Sequence, residues 1–328
     1  MTSVRLARMA MASRFELVLQ GDHEAWLRAA GEQALAEIVR LDRQLSIYSQ
    51  ASEVSRINAR AADGPVPVEP RLFELLRTAK RYAEETDGAF DITVAPLMRA
   101  WGFFRGSGKL PDEDALEKAR QVTGMQLVHL DESARTIRFE RKGVLLDFGA
   151  IGKGYAVDEA MKILREAGVE RAFLHGGTST SFGLGTPFDG DHWQVAIPYP
   201  GEETSSSEES VLAVVPLEDA SLSVSAVWGK AFEAAGTTYG HVLDPRRGRP
   251  VDGAMLTAAV SASATEADAF STALLVKGRE SGSLLEHIRN RIRALLMFPS
   301  DEDGVFETME YHFPTHPSNR QSGSTRLS

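Results

Sequence analysis

Two short stretches of this chain collect the residue types that handle phosphates and hard cations. The first is Leu146-Asp147-Phe148-Gly149-Ala150-Ile151-Gly152-Lys153-Gly154-Tyr155-Ala156-Val157-Asp158, where an apolar strand pattern, Val144 to Asp147, gives way to a helix through three glycines and a lysine. A strand ending at Gly149 and a helix restarting near Tyr155 would point unpaired backbone N–H groups and the positive end of a helix dipole at a bound anion. The spacing fits neither common nucleotide fingerprint, since no Ser or Thr follows Lys153 and the glycines do not read G-x-G-x-x-G. Such a loop is either a ligand cradle or an ordinary Gly-rich strand-to-helix turn. The second stretch, Thr265 to Val276, reads as a helix beginning at a Thr cap. Asp268 and Thr272 fall four apart on one face, offering a carboxylate and a hydroxyl together. That suits Mg2+, which keeps several waters and takes only one or two carboxylates. An acid in a first turn also serves the helix dipole alone.

Weaker signals surround these two. In Tyr239 to Val251, Asp244-Pro245-Arg246-Arg247-Gly248 is a turn by composition, with His241 on a short strand before it. His241 is either a satisfied structural side chain or, beside a pyrophosphate, a proton carrier. Tyr48, in Leu45 to Asn58, could lie against an aromatic ring system. Asp91, emerging from a Gly-initiated strand at Asp87-Gly88, could accept hydrogen bonds from a ligand. Either is equally a scaffold residue. His175-Gly176-Gly177-Thr178-Ser179 would let backbone approach a ligand, or simply turn.

The elements that must position these residues show in the periodicity. Arg14 to Gln20 alternates as a strand, Glu24 to Leu45 carries apolar residues at helical spacing, and a second helix is predicted from Pro70 to Thr86. A third starts at Pro111. Further strands are predicted at Gln126–Leu130, Thr136–Phe139, Ala172–His175, Trp193–Ile197, Val211–Leu217, Ser221–Val227 and Met255–Ala262. Strand runs with interspersed long helices indicate an α+β fold with mixed, largely antiparallel sheets and packed helices. Residues 1–312 form one catalytic domain in this reading. Gly201 to Ser210 is an acidic, Ser-rich solvated loop, and residues 313–328 form a disordered tail.

Composition narrows the function classes. The 328 residues are 43% hydrophobic and carry a formal charge of −10 with no Lys/Arg-rich block, which speaks against nucleic acid or an anionic membrane surface as partner. The absence of cysteine excludes disulfides, thiolate metal sites and thiol nucleophiles. Met1 to Met11 lacks a signal-peptide core, and no run approaches the roughly 20 apolar residues of a membrane span. A cytoplasmic protein without a membrane anchor is expected.

Taken in order, Met11-Ala12-Ser13, Ser46 to Asn58, Gly88 to Asp91, Asp147 to Asp158, His241 to Gly248 and Ala267-Asp268 with Thr272 resemble the ApbE-like family of FAD:protein FMN transferases, from about Arg5 to about Gly304. The resemblance implies a T-fold-like architecture. It also implies Mg2+-dependent transfer of FMN from FAD to a Thr or Ser hydroxyl of an acceptor protein, through a phosphoester bond, with release of AMP. It puts the Ala150 carbonyl, Asp268 and Thr272 at the metal, and Met11, Tyr48, Asp91, Lys153 and His241 at FAD, His241 being the catalytic residue. The chain departs from the family where Gly is common at Ala12, where an acid or amide is common at Thr178, and where Ser-Gly is usual at Ser225-Ala226. Methyls at Ala12 and Ala226 are expected to narrow the flavin pocket. FAD hydrolysis to FMN and AMP, or flavin binding without catalysis, are the alternative readings.

Overall fold

The computed structural model describes residues 1–104, 106–199, 211–234, 236–300, 306–314 and 324–327. The chain opens with a hairpin, β1 (Thr2–Ala10) and β2 (Ser13–Gly21), and then forms α1 (Glu24–Leu45), α2 (Glu53–Arg60), β3 (Val66–Pro67) and α3 (Pro70–Glu85). Next come α4 (Ala95–Ala100), α5 (Glu113–Arg120), β4 (Val128–Asp131), β5 (Thr136–Phe139) and α6 (Gly152–Glu166). β6 (Arg171–Gly176) and β7 (Thr180–Leu184) lead to β8 (Trp193–Pro198), β9 (Val211–Leu217) and β10 (Ala220–Ala226). The short pairs β11 (Ala231–Ala234) with β12 (Thr237–Gly240), and β13 (Leu243–Asp244) with β14 (Arg249–Pro250), precede β15 (Leu256–Ser261) and α7 (Ala264–Lys277). α8 (Gly282–Ile288), β16 (Arg293–Pro299), β17 (Phe306–Tyr311) and β18 (Ser324–Leu327) complete it.

One sheet carries the fold, in the order β1-β2-β6-β7-β10-β15-β16-β17-β18, antiparallel throughout except for the last pair. Its strands alternate between two cores, because successive side chains point to opposite faces. On β16, Ala294, Leu296 and Phe298 join the helix-side core, whereas Leu295 and Met297 pack with Leu222, Ala258 and Val260 against the β8–β9 hairpin. Covered on both faces, the central strands hold polar residues only where those find partners. α1, α6 and α7 lie side by side on the helix face, and α7 is buried nearly all round, as its apolar composition requires.

Several expectations are corrected. Val144–Asp147 joins no sheet: Leu146 bonds both ways with the Asn58 side chain (2.8 and 3.0 Å), and Asp147 N–H donates to Ile92 O at 2.7 Å. A side chain stands where a neighbouring strand would. Asp91 and His241 lie outside strands, and Gln126 and Leu127 fall in a single 3₁₀ turn before β4. α5 starts at Glu113 with Asp112 as its cap, and α7 is capped by Ser263 rather than Thr265. The Gly201–Ser210 loop lies outside the described residues. Phe313 is buried, and Ser324–Leu327 pair in parallel with β17; residues 315–323 and 328 of the expected tail lie outside the described residues. β1, interrupted in sequence by Arg5 and Arg8, pairs with β2 along its whole length. No helix among the described residues is long and apolar enough to cross a membrane.

The β1–β2 turn consists of Met11 and Ala12, at φ 49° and 56°, between the paired Ala10 and Ser13. Two left-handed central residues make a type I′ turn, which favours Asn-Gly because a Cβ is unfavourable there. The Ala12 side chain is exposed, so its methyl burdens the backbone conformation. Ala12→Gly is therefore expected to stabilise the protein by about 1 kcal/mol, read as a higher urea midpoint at unchanged slope.

Candidate active site

The centre of the molecule is where α6, α7 and β10 meet. Ser221, Ser223 and Ser225 lie on the same face of β10, towards α7. Ser221 Oγ donates to Ser181 O at 2.8 Å, Ser223 Oγ lies 3.0 Å from Ser179 O and 3.3 Å from Asp268 Oδ1, and Ser225 Oγ lies 2.8 Å from Ser271 Oγ and 3.2 Å from Thr272 Oγ1. Asp268 Oδ2 accepts the Gly154 N–H at 2.9 Å. The Lys153 ammonium bonds to Ser179 Oγ and exerts an attractive charge on Asp268. The N-terminus of α6 thus does receive an anion, and it is the chain's own carboxylate.

Burial pushes the Asp268 carboxyl above the ordinary carboxylate range, while Lys153, Gly154 N–H and Ser223 pull it back. One turn along α6, Asp158 locks the start of α7. It accepts from Ser263 Oγ at 2.7 Å, Ala264 N at 2.8 Å, Thr265 N at 2.9 Å and Thr265 Oγ1 at 2.6 Å. This carboxylate does the work of a helix cap from a neighbouring helix. Ala150 precedes α6 in the turn where Gly149 N–H donates to Asp147 Oδ1 at 2.9 Å, and burial pushes the Asp147 carboxyl up as well.

The structure therefore brings Lys153, Asp268 and Thr272 together. Met11, Asp91 and His241 make no hydrogen bond or ion pair to that cluster among the described residues. The Asp91 carboxylate accepts from Thr93 N (2.7 Å), Thr93 Oγ1 (2.6 Å) and Met125 N (2.9 Å). His241 Nδ1 sits 3.2 Å from Lys230 O, and burial holds the imidazole below its usual range, hence neutral near pH 7. The Tyr48 ring is half exposed and tilts against Phe104, 5.1 Å between centroids.

Sequence reading missed the roles of Ser223, Asp158 and Asn58. The alternation Ser221-Leu222-Ser223-Val224-Ser225 is a signal, but of a strand with a polar face; only the fold turns that face onto α7. Ala226, one of the departures noted above, packs on the opposite face with the β8–β9 core, away from Asp268, and Thr178 is exposed.

The donors around Asp268 are one carboxylate and several hydroxyls, all hard oxygens, which fits Mg2+ rather than a softer cation. No group of three or more His, Asp or Glu side chains suited to a metal occurs among the described residues, so a dedicated carboxylate cage is not what this site offers.

Known proteins give this arrangement a context. The model of the ApbE family matches residues 11–296. The FAD:protein FMN transferase of Escherichia coli (strain K12) is 30% identical over 278 residues, spanning 83% of this chain and 77% of that protein. Among solved structures, the ApbE protein of Thermotoga maritima superposes with a TM-score of 0.82 at 27% identity, covering 93% of this chain and 96% of its own. The apo flavinyl transferase ApbE of Pseudomonas stutzeri gives 0.81 at 30%, covering 94% of both chains.

The raised pKa of Asp268 has a sign. The folded protein holds this proton more tightly than the unfolded chain, so ionisation lowers stability as pH rises through the folded pKa, and the penalty is complete above it. In metal-free buffer Asp268→Asn is expected to melt at or above the temperature of the parent at pH 8, with the gap closing as pH falls to about 4, near the ordinary carboxylate value. Calorimetry against pH checks this.

Proposed function

The chain belongs to the ApbE family, and from that membership we propose that it transfers the FMN moiety of FAD to a Thr or Ser hydroxyl of an acceptor protein. The observation that carries the reading is the buried Asp268 carboxylate held between the α6 N-terminus and the hydroxyls of β10 and α7, with Lys153 beside it. In the proposed reaction the acceptor oxygen attacks the flavin-side phosphorus, the pyrophosphate P–O bond breaks, and AMP leaves as a phosphoester forms. The hydroxyl proton passes to His241, whose neutral ring is able to accept it. Lys153 offers positive charge to the pyrophosphate. Tyr48, Met11 and Asp91 would contact FAD in this reading, Tyr48 by offering its ring to the flavin. The Ala150 carbonyl, Asp268 and Thr272 would hold Mg2+, which when bound supplies neutralisation of charge on the transferred group.

The test incubates the purified protein with FAD and Mg2+, with and without a lysate of its source, following AMP by chromatography and protein-bound flavin by gel fluorescence. AMP together with a fluorescent acceptor band, both dependent on lysate, is the expected outcome. AMP without lysate would replace transfer by hydrolysis, and neither signal would overturn catalysis. Asp268→Ala is expected to abolish transfer, and Mg2+ to raise the melting temperature of the parent but not of the variant. Retained transfer would remove Asp268 from the metal site.

The pH profile tests His241. Its depressed pKa means that protonation, and loss of the base, occurs only at more acid pH than for a free imidazole, so the acid limb of kcat/KM is expected below about pH 6.5. His241→Gln should lower kcat by about 10²- to 10⁴-fold and flatten that limb. An unchanged limb in the variant assigns it to another group.

A further inference from the structure

Two clefts of similar size open on the surface, and their charges differ. The first, about 480 Å³, is bordered by Lys80, Arg120 and Arg246, but also by Glu84, Asp87 and Asp91. Its charges are balanced, and Arg246 is gripped by Asp244 at 2.8 and 2.9 Å. The second, about 530 Å³, is bordered by Arg99, Lys109 and Lys118 and by a single acid, Asp112, one of whose oxygens already caps α5 through Ala115 N at 2.7 Å.

None of Arg99, Lys109 and Lys118 has an ion-pair partner among the described residues. In a chain with 46 acidic and 36 basic side chains, these three cations line one cleft with a single acid among them. The cleft also lies beside Tyr48, which the proposed reading sets against the flavin. The Arg99 guanidinium lies 4.5 Å from the centroid of Phe104, the ring that packs against Tyr48. Leu110, between two lining residues, is 48% exposed and offers an apolar contact at the rim.

We propose that this cleft docks an acidic segment of the acceptor protein and so brings its hydroxyl-bearing residue to the Tyr48 edge of the site. The inference rests on the transferase reading for the identity of the partner, though not for the binding itself. Three cations against one carboxylate, Asp112, give this cleft a positive balance in a chain of net charge −10, which steers and retains a negatively charged segment. Exposed charges act additively and weakly, so the effect is sensitive to salt.

The experiment measures fluorescence anisotropy of a labelled Thr-containing peptide flanked by Asp and Glu, and of its Asn/Gln counterpart, with the full-length protein. The acidic peptide is expected to bind and the neutral one not, with binding lost as ionic strength passes about 0.3 M. Arg99→Gln/Lys109→Gln/Lys118→Gln should weaken binding by about 5- to 10-fold, and Lys109→Gln/Lys118→Gln by a smaller factor. A charge-matched control, Arg5→Gln/Arg8→Gln/Lys162→Gln, should not. FAD titration is expected to be unaltered in Lys109→Gln/Lys118→Gln, which does not touch Phe104.

Equal weakening by the control, no weakening by the triple variant, or lost FAD affinity in the double variant would each overturn the proposal. So would a labelled DNA duplex that binds in the peptide's place. Peptide binding as described, with no AMP formed from FAD under any condition, would uphold the docking cleft and defeat the transferase reading separately.

Discussion

The close approach of α6 to α7 at Gly154 is the contact on which the rest depends. A Cβ built there would lie 2.1 Å from Ala264 O and 2.8 Å from the Asp268 Cβ, so any side chain would drive the helices apart. Because they touch, the Gly154 N–H reaches Asp268, Lys153 comes beside it, and Asp158 lands on the first turn of α7. α1 supports α6 from its other side, and β10 and β15 lie beneath α7. A loop that reads as a phosphate cradle thus has a prior task, which is to hold two helices at contact distance.

That geometry loads the protein with a buried acid. Removing a carboxylate from water costs several kcal/mol unless charge and hydrogen bonds replace the lost hydration. Asp268 has a neutral N–H, one shared hydroxyl and a nearby ammonium, which is partial compensation. A group that a cation would satisfy better than the protein does is a destabilising choice for the fold alone. It becomes a reasonable one under the proposed function, where a cation would join the site and stability is exchanged for affinity. The absence of buried side-chain polar atoms without a partner among the described residues makes the point sharper, because the unmet demand is one of charge.

How much of this was legible in the sequence depends on the range of the interaction. α1, α3 and α7 were readable, since periodicity, a Pro at the first turn and flanking stop signals are local, and so was the four-residue spacing of Asp268 and Thr272. Asn58 pairing with Leu146, and Asp158 capping α7, span 88 and 105 or more residues and leave no local mark. The Val144–Asp147 segment has strand composition, yet a side chain supplies its pairing. β1 was hidden because Arg5 and Arg8, both exposed though on opposite faces of the strand, break an apolar count without disturbing a ladder. The serines of β10 mislead for the opposite reason: alternation announces a polar face, but whether that face meets water or a helix is decided by the layer above it.

The same distinction bears on the departures from the family pattern. Ala12 occupies an exposed left-handed turn, Thr178 an exposed loop, and Ala226 the side of β10 that faces the β8–β9 hairpin. None joins the hydrogen-bonded cluster around Asp268, whose members constrain one another through helix contact, cap and sheet. Truncating one of its hydroxyl or Asp158 members would leave a buried donor or acceptor unmatched, at a cost of about 1–3 kcal/mol for each orphaned group, whereas Asp268 itself is the strained member. At Ala12, Thr178 and Ala226 substitution changes only turn geometry or local packing. The three departures therefore leave the hydrogen-bonded cluster around Asp268 intact.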